Sequence, residues 1–213
     1  MSEVVGRRSD APIEVVLFDL GGVLIELGGL PELDEFSGGG ASEEALWKRW
    51  LTCPWVRRFE RGLCGAEEFS RGMVETWSLS VGPEAFLEAF TAWPRGLLPG
   101  ARELVHATRD RARVGCLSNT NALHAERQGR EFGIDDLFHE RFLSHEMGLV
   151  KPDREAFDHV VARLGCPADR VLFLDDNAPN VDGARAAGLR SELARGVPEA
   201  RSVLADLGLL APE

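Results

Sequence analysis

At 213 residues the chain has room for one domain, or for a core with a modest insertion, and its formal net charge of −11 argues against general nucleic-acid binding, which requires a basic face. It is 44% apolar and 28% charged, the composition of a globular protein that buries a core, and no apolar run approaches the ~20 residues of a bilayer span. Cys53, Cys64, Cys116 and Cys166 are far apart and in no metal-ligand spacing, which reads as isolated thiols in a reducing cytoplasm.

Residues 1–11 are polar, carry Arg7 and Arg8 and lead into no apolar stretch, so they read as a flexible leader. The first strong signal is Val15-Val16-Leu17-Phe18 followed by Asp19-Leu20-Gly21-Gly22. A continuous apolar run ended by an acid and two glycines predicts a strand covered on both faces, with a carboxylate at its carboxyl end. The segment Pro31–Gly40 shows no periodicity, and Gly38-Gly39-Gly40 has the composition of a hinge. Ser42 is a good N-cap for a helix over Ala45–Leu51, and helical patches follow at Ala66–Thr76 and Pro83–Ala92. No strand-like alternation occurs between Ser42 and Pro94, so these residues read as an all-helical insert of about fifty residues.

From Pro99 an alternating rhythm sets in. A helix presenting Ala101, Leu104, Val105 and Thr108 precedes a buried strand at Arg113–Leu117, which ends in Ser118-Asn119-Thr120-Asn121. A helix from Ala122 to Phe132 closes at Gly133, and a short strand is predicted within Phe138–Leu143. Asp153 is expected to cap a helix presenting Ala156, Phe157, Val160, Val161 and Leu164. Arg170–Leu174 is the next strand and ends in Asp175-Asp176; a helix over Val181–Ala187, a weaker strand at Ser191–Ala194 and a terminal helix at Glu199–Leu207 complete the chain. Strands alternating with helices predict an α/β fold, a Rossmann-like doubly wound parallel sheet with an inserted small helical cap. The core is expected over residues 12–30 and 95–213, with the insert at 31–94.

Three predicted strands end in Asp19, Ser118 and the Asp175-Asp176 pair, and strands that are neighbours would bring all of them to one edge. Clustered carboxylates repel, and a cation resolves the repulsion. All-oxygen ligands suit magnesium, whose shell is completed by water and substrate phosphate. Ser118, Asn119 and the backbone N–H groups opening the next helix make an anion site, and Lys151, in Gly148-Leu149-Val150-Lys151-Pro152-Asp153, adds a positive charge. These groups around Asp19 describe phosphoryl chemistry with a carboxylate nucleophile.

Four motifs in order carry a family resemblance: Phe18-Asp19-Leu20-Gly21-Gly22-Val23, Leu117-Ser118-Asn119, Val150-Lys151-Pro152-Asp153, and Phe173-Leu174-Asp175-Asp176-Asn177-Ala178-Pro179-Asn180-Val181. Together they resemble the haloacid dehalogenase superfamily of hydrolases, most of whose members are magnesium-dependent phosphatases, over nearly all of Val15–Ala194. The resemblance implies that Asp19 attacks phosphorus and also binds Mg2+, with the backbone carbonyl of Gly21 and Asp176 as further ligands. Asp175 would stand beside the ion or act through water. It also implies that Ser118 holds the phosphoryl oxygens, that Lys151 neutralises Asp19 and the transferring group, and that the insert closes over a small phosphorylated metabolite, such as a sugar phosphate. Members of this family usually carry a second aspartate two residues after the nucleophile, as general acid and base, where this chain has Gly21. That role is typically worth about 10²–10⁴-fold, so Gly21 leaves open a phospho-ligand or partner-binding member without catalysis. A metal-free 2-haloacid dehalogenase fits less well, because the paired acids Asp175 and Asp176 call for a cation.

In the insert, Lys48, Arg49, Arg57, Arg58 and Arg61 against Glu60 make a positive patch interleaved with Trp47, Trp50 and Trp55. A stacking and anion-pairing surface is one reading. The favoured one has tryptophans filling a small core and arginines paired with nearby acids. Asn177 and Asn180 read as loop and cap residues, with Asn180 orienting Asp176. His124 and His145 lie nearest the motifs, without a partner spacing that indicates a metal or a triad.

Overall fold

A computed structural model describes residues 11–210; the predicted leader therefore falls almost wholly outside them. In chain order the elements are β1 (Val15–Phe18), β2 (Ile25–Leu27), α1 (Leu30–Phe36), α2 (Glu43–Leu51), α3 (Pro54–Glu60), α4 (Ala66–Trp77), α5 (Pro83–Thr91), β3 (Pro94–Leu97), α6 (Ala101–Arg109) and β4 (Arg113–Ser118). They continue with α7 (Ala122–Phe132), β5 (Glu140–Leu143), α8 (Ser144–Met147), α9 (Arg154–Leu164), β6 (Val171–Asp175), α10 (Ala178–Ala186), β7 (Arg190–Leu193) and α11 (Gly196–Asp206). No helix among the described residues is long and apolar enough to cross a membrane.

Five parallel strands form one sheet in the order β5-β4-β1-β6-β7. The two-residue period of a strand explains why every residue of β1 is apolar: both faces are covered. Val16 and Phe18 join Leu172 and Leu174 of β6 in the cluster that packs against α6 and α11. Val15 and Leu17 join Val171 and Phe173 in the cluster against α9 and α10. The chain runs outward from β1 through β4 to β5, then returns to β6 on the other side of β1. That reversal opens a crevice at the carboxyl ends of the central strands, where open α/β sheets bind ligands.

A third apolar cluster belongs to helices α1–α5 and is dominated by aromatic rings, with Trp50, Phe59, Phe69, Phe86 and Phe90 all buried. This helical module leaves and re-enters the chain through an antiparallel ribbon of β2 and β3. The ribbon and two helices differ from the sequence expectation. Helix α1 occupies part of the segment expected to be irregular, because Pro31 pre-sets its first turn while Leu33 alone is buried, so no periodic face exists to be read. Helix α3 likewise offers only Val56 and Phe59 to a core. The strands β2 and β3 are too short for alternation to register.

Candidate active site

Asp19 follows β1 directly and is held there by its own backbone N–H, which donates to the Leu174 carbonyl at 2.8 Å. Asp175 ends β6, the neighbour of β1, and Asp176 is the next residue. Asp19, Asp175 and Asp176 each offer a carboxylate oxygen within 4.8 Å of the others. Gly22 makes this crowding possible. Its φ of +71° is in the left-handed region, and a Cβ there would lie 2.1 Å from Asp176 Oδ2. At Gly21 the hydrogen bonds beside it run from Ile25 N–H to Leu20 O and from Gly22 N–H to Ile25 O, and none among the described residues uses the Gly21 carbonyl.

Lys151 reaches into this cluster from the loop before α9 and is 2% exposed. Its ammonium donates to Asp175 Oδ2 at 2.7 Å and to the Leu117 carbonyl at 2.9 Å, and lies 2.9 Å from Asp19 Oδ1. Burial alone would lower the Lys151 pKa, but Asp175 and Asp19 hold it raised and firmly protonated. One ammonium does not balance three carboxylates. Burial, with repulsion from Asp175 and Asp176, pushes Asp19 up to about 7 against the attraction of Lys151. Burial and Asp175 push Asp176 up to about 6. This excess of buried, mutually repelling oxygen donors is the chemistry of a hard divalent cation site.

The acids differ in how fully they are engaged. Asp175 is completely buried and accepts from Lys151, from the Asn177 backbone N–H at 2.8 Å and from Asn180 Nδ2 at 3.1 Å on each oxygen. Asn180 therefore orients Asp175, and not Asp176 as the sequence suggests. Asn119 lines the cavity, and both polar atoms of its side chain grip Lys151: Nδ2 donates to the Lys151 carbonyl and Oδ1 accepts from the Lys151 N–H, each at 2.9 Å. It positions the lysine. Asp153 stands at the N-cap of α9 without a capping bond, because its carboxylate pairs with Arg57 of α3 at 2.7 Å.

A cavity of about 140 Å³ opens over the acids. Its sheet side is lined by Asp19, Gly21, Ser118, Thr120, Lys151 and Asp176, and its far side by Leu27, Trp47, Trp50, Glu60, Phe90 and Trp93. Lys151 is the one lysine or arginine among the lining residues. The arginines of the insert are used elsewhere: Arg49 lies over Trp77, Arg58 pairs with Glu68, and Arg61 Nε donates to the Gly148 carbonyl at 2.9 Å. The tryptophans divide, since Trp50 both packs against Trp77 and Trp93 and lines the cavity.

Three lining residues are named in the sequence without a role at the site. Thr120 is 4% exposed and its Oγ1 lacks a hydrogen-bond partner, while its backbone is held by Ser144 Oγ; its place directly after Ser118-Asn119 was the available signal. His124, in the first turn of α7, stacks on Phe90 of α5 with Nε2 2.7 Å from the Phe90 carbonyl, and burial pushes it down to about 4. Glu60 is partly exposed, and desolvation pushes its carboxyl up to about 7, against Lys151 and Arg57 and with a smaller contribution from Asp19. A lone acid among arginines gave no sign of either.

Comparison with known proteins places the chain in a family. Residues 13–188 match the haloacid dehalogenase-like hydrolase family. Pyrimidine 5'-nucleotidase YjjG of Escherichia coli is 33% identical over 143 residues, 63% of each chain. D-ribitol-5-phosphate phosphatase of Bacteroides thetaiotaomicron is 22% identical over 84% of this chain and 90% of its own length. The chain thus spans somewhat less than two thirds of the nucleotidase. A HAD family enzyme of B. thetaiotaomicron, crystallised with magnesium and inorganic phosphate, superposes with a TM-score of 0.69 at 26% identity, over 85% of this chain and 93% of that one. The chain belongs to the haloacid dehalogenase-like hydrolase family.

Proposed function

We propose that this haloacid dehalogenase-like hydrolase is a magnesium-dependent phosphatase that uses Asp19 as nucleophile on a small monophosphorylated metabolite. The observation that carries the reading is the bridge from Lys151 to both Asp19 and Asp175, with Asp176 beside them. Mg2+ would be held by Asp19, Asp176 and the Gly21 carbonyl, with Asp175, already saturated by three donors, acting through water. When bound, the ion supplies charge neutralisation to the phosphoryl group and to the crowded carboxylates.

The chain's own residues do the rest. Lys151 favours the ionised form of Asp19 against burial, aims its carboxylate, and screens it from an incoming dianion. Ser118, which lines the cavity, offers its hydroxyl to the phosphoryl oxygens. Asp19 Oδ then attacks phosphorus, the ester oxygen departs on the opposite side, and water later cleaves the aspartyl-phosphate. Helices α1–α5, which start at Leu30 and otherwise fill residues 31–94, act as a cap over the core of residues 12–30 and 95–213, and exclude water from the transfer.

The cavity also constrains the substrate. With one cation and an aromatic far wall, it suits a single phosphate on a neutral, flat or weakly polar group, such as a sugar or a nucleoside. The named activities of the nucleotidase and the ribitol-phosphate phosphatase lie in that class. A panel of phosphorylated metabolites assayed with Mg2+ and with chelator tests the reading. Turnover that needs Mg2+ and disappears in Asp19→Asn supports it. Silence across the panel combined with measurable ligand binding would overturn it in favour of a phospho-ligand-binding module.

A further inference from the structure

Expulsion of an alcohol from a phosphate monoester requires a proton, because an alkoxide is a poor leaving group. The lining residues that titrate are Asp19, Glu60, His124, Lys151 and Asp176. Asp19 is the attacking group, and Asp176 faces it across the acidic cluster. Lys151 is bound to two carboxylates and a carbonyl. His124 is tied to the Phe90 carbonyl in the contact between α7 and α5. Glu60 remains: its carboxylate takes no hydrogen bond or ion pair from the described residues, and it lines the cavity.

Its backbone is well placed for chemistry. Glu60 is the last residue of α3, and Arg57 and Arg61 on either side of it fasten that helix end to Asp153 and to the Gly148 carbonyl. Both anchor points belong to the loop that carries Lys151, so Glu60 is fixed relative to the nucleophile and not only to its own module. In an in-line displacement the departing oxygen leaves on the side away from Asp19. The cap forms that side of the cavity.

We propose that Glu60 is the general acid and base of the reaction, presented from the cap and filling the role for which the Asp19-Leu20-Gly21 segment has no side chain. The proposal rests on the phosphatase reading above. As Asp19 Oδ bonds to phosphorus and the ester P–O bond breaks, the Glu60 carboxyl passes its proton to the departing oxygen, which leaves as the alcohol. The Glu60 carboxylate then takes a proton from water as that water attacks phosphorus. The Asp19 Oδ–P bond breaks, inorganic phosphate leaves, and both acids return to their starting states. The groups facing Glu60 are Lys151 and Arg57, which favour its anion, and Asp19, which disfavours it; with burial foremost, the balance lets the carboxyl hold a proton close to neutral pH.

The test measures Mg2+-dependent kcat/KM against pH for wild type, Glu60→Gln, Glu60→Asp and Asp19→Asn, on ribose 5-phosphate and on 4-nitrophenyl phosphate. Glu60→Gln should lose about 10²–10³-fold on the alkyl ester, at least tenfold more than it loses on the aryl ester, whose leaving group needs little protonation. Wild type should show a fall in kcat/KM above about pH 7 with the alkyl ester, and that fall should vanish in Glu60→Gln. Glu60→Asp should recover part of the loss, and rapid quench of Glu60→Gln with 4-nitrophenyl phosphate should trap more phosphorylated enzyme than wild type, because its hydrolysis lacks a base. Equal losses on the two esters with the pH limb intact would overturn the Glu60 assignment while leaving the phosphatase reading in place. Turnover by Asp19→Asn at wild-type rates, or none by wild type, overturns both.

Discussion

The two walls of the cavity are built on opposite principles. On the sheet side, Lys151, Asp175, Asn119 and Asn180 satisfy one another almost completely, with partners 2.7–3.1 Å apart. On the cap side, Trp47, Trp50, Phe90 and Trp93 give an aromatic surface with one loosely partnered acid, Glu60. A polar network in low dielectric is rigid and costly to break, whereas an apolar wall tolerates change in shape. On the proposed phosphatase reading, the sheet side fixes what happens to phosphorus, and the side built by α1–α5 decides what is attached to it and when a proton is available.

The comparison is broken most severely at Lys151. Lys151→Met removes the ammonium from between two buried carboxylates, an uncompensated charge that typically costs 3–5 kcal/mol. Stability measured by urea denaturation should fall by about that much in chelator and by less with Mg2+, since a cation at the acids replaces part of the lost charge. Turnover should be abolished in both. An equal stability loss with and without Mg2+ would argue against a cation site at Asp19 and Asp176.

Glu60 probes the other wall, with the opposite sign. Its folded carboxyl titrates at about 7 against about 4.3 in an unfolded chain, so between those values the folded state holds a proton that the unfolded state has released. The stability associated with that proton is present at low pH and drains away as pH rises toward 7 and beyond. Glu60→Gln cannot ionise and should be about 1–2 kcal/mol more stable than wild type at pH 8, after solvent screening of a partly exposed group, and equal to it near pH 4. Denaturation curves at the two pH values check this. A residue that costs stability and supports turnover is the usual signature of function.

The same division explains what could be read from the chain beforehand. β1, β4 and β6 are continuous apolar runs that end in reactive residues, so their neighbourhood at one sheet edge followed from the parallel α/β rhythm. Asp19, Ser118, Asp175 and Asp176 are local features of those ends, and Lys151 stands in the short loop before α9. The cap wall carries no such register. Glu60 reaches the cavity because α3 docks through Arg57 and Arg61 onto residues 148–153, contacts about ninety positions apart in sequence. Asn119 and Asn180 were legible as polar residues near the site, but which backbone or carboxylate each grips depends on angstrom-scale geometry.

The docking of α3 gives a smaller effect. Arg57→Ala removes an ion pair whose partners are both about one-third exposed, worth about 0.2–1 kcal/mol of stability. Its consequence for turnover should be larger than for folding, because loosening α3 displaces Glu60. A fall in kcat on the alkyl ester of several-fold, with little change on the aryl ester, is expected; equal changes on both would mean that the pair holds the cap without aiming the acid.

The smallest expected effect is the most discriminating. Gly21→Asp would place a carboxyl at the position two residues after the nucleophile, where the family usually has one. In this chain a Cβ at Gly21 would meet Leu27 Cδ1 at 2.4 Å, and the end of a flexible leucine on β2 can move aside. In the wild-type background the substitution should change alkyl-ester turnover by only a few-fold, since Glu60 already serves as acid and base. In the Glu60→Gln background, combined with Leu27→Ala to clear the space, the new carboxyl should restore about tenfold of the lost rate, well within the range of acid–base catalysis. Rescue confined to Glu60→Gln means that the two positions supply the same proton from opposite walls. Equal gains in both backgrounds would show that Glu60 and the new aspartate act on different steps, and that the cap acid does something other than stand in for the missing one.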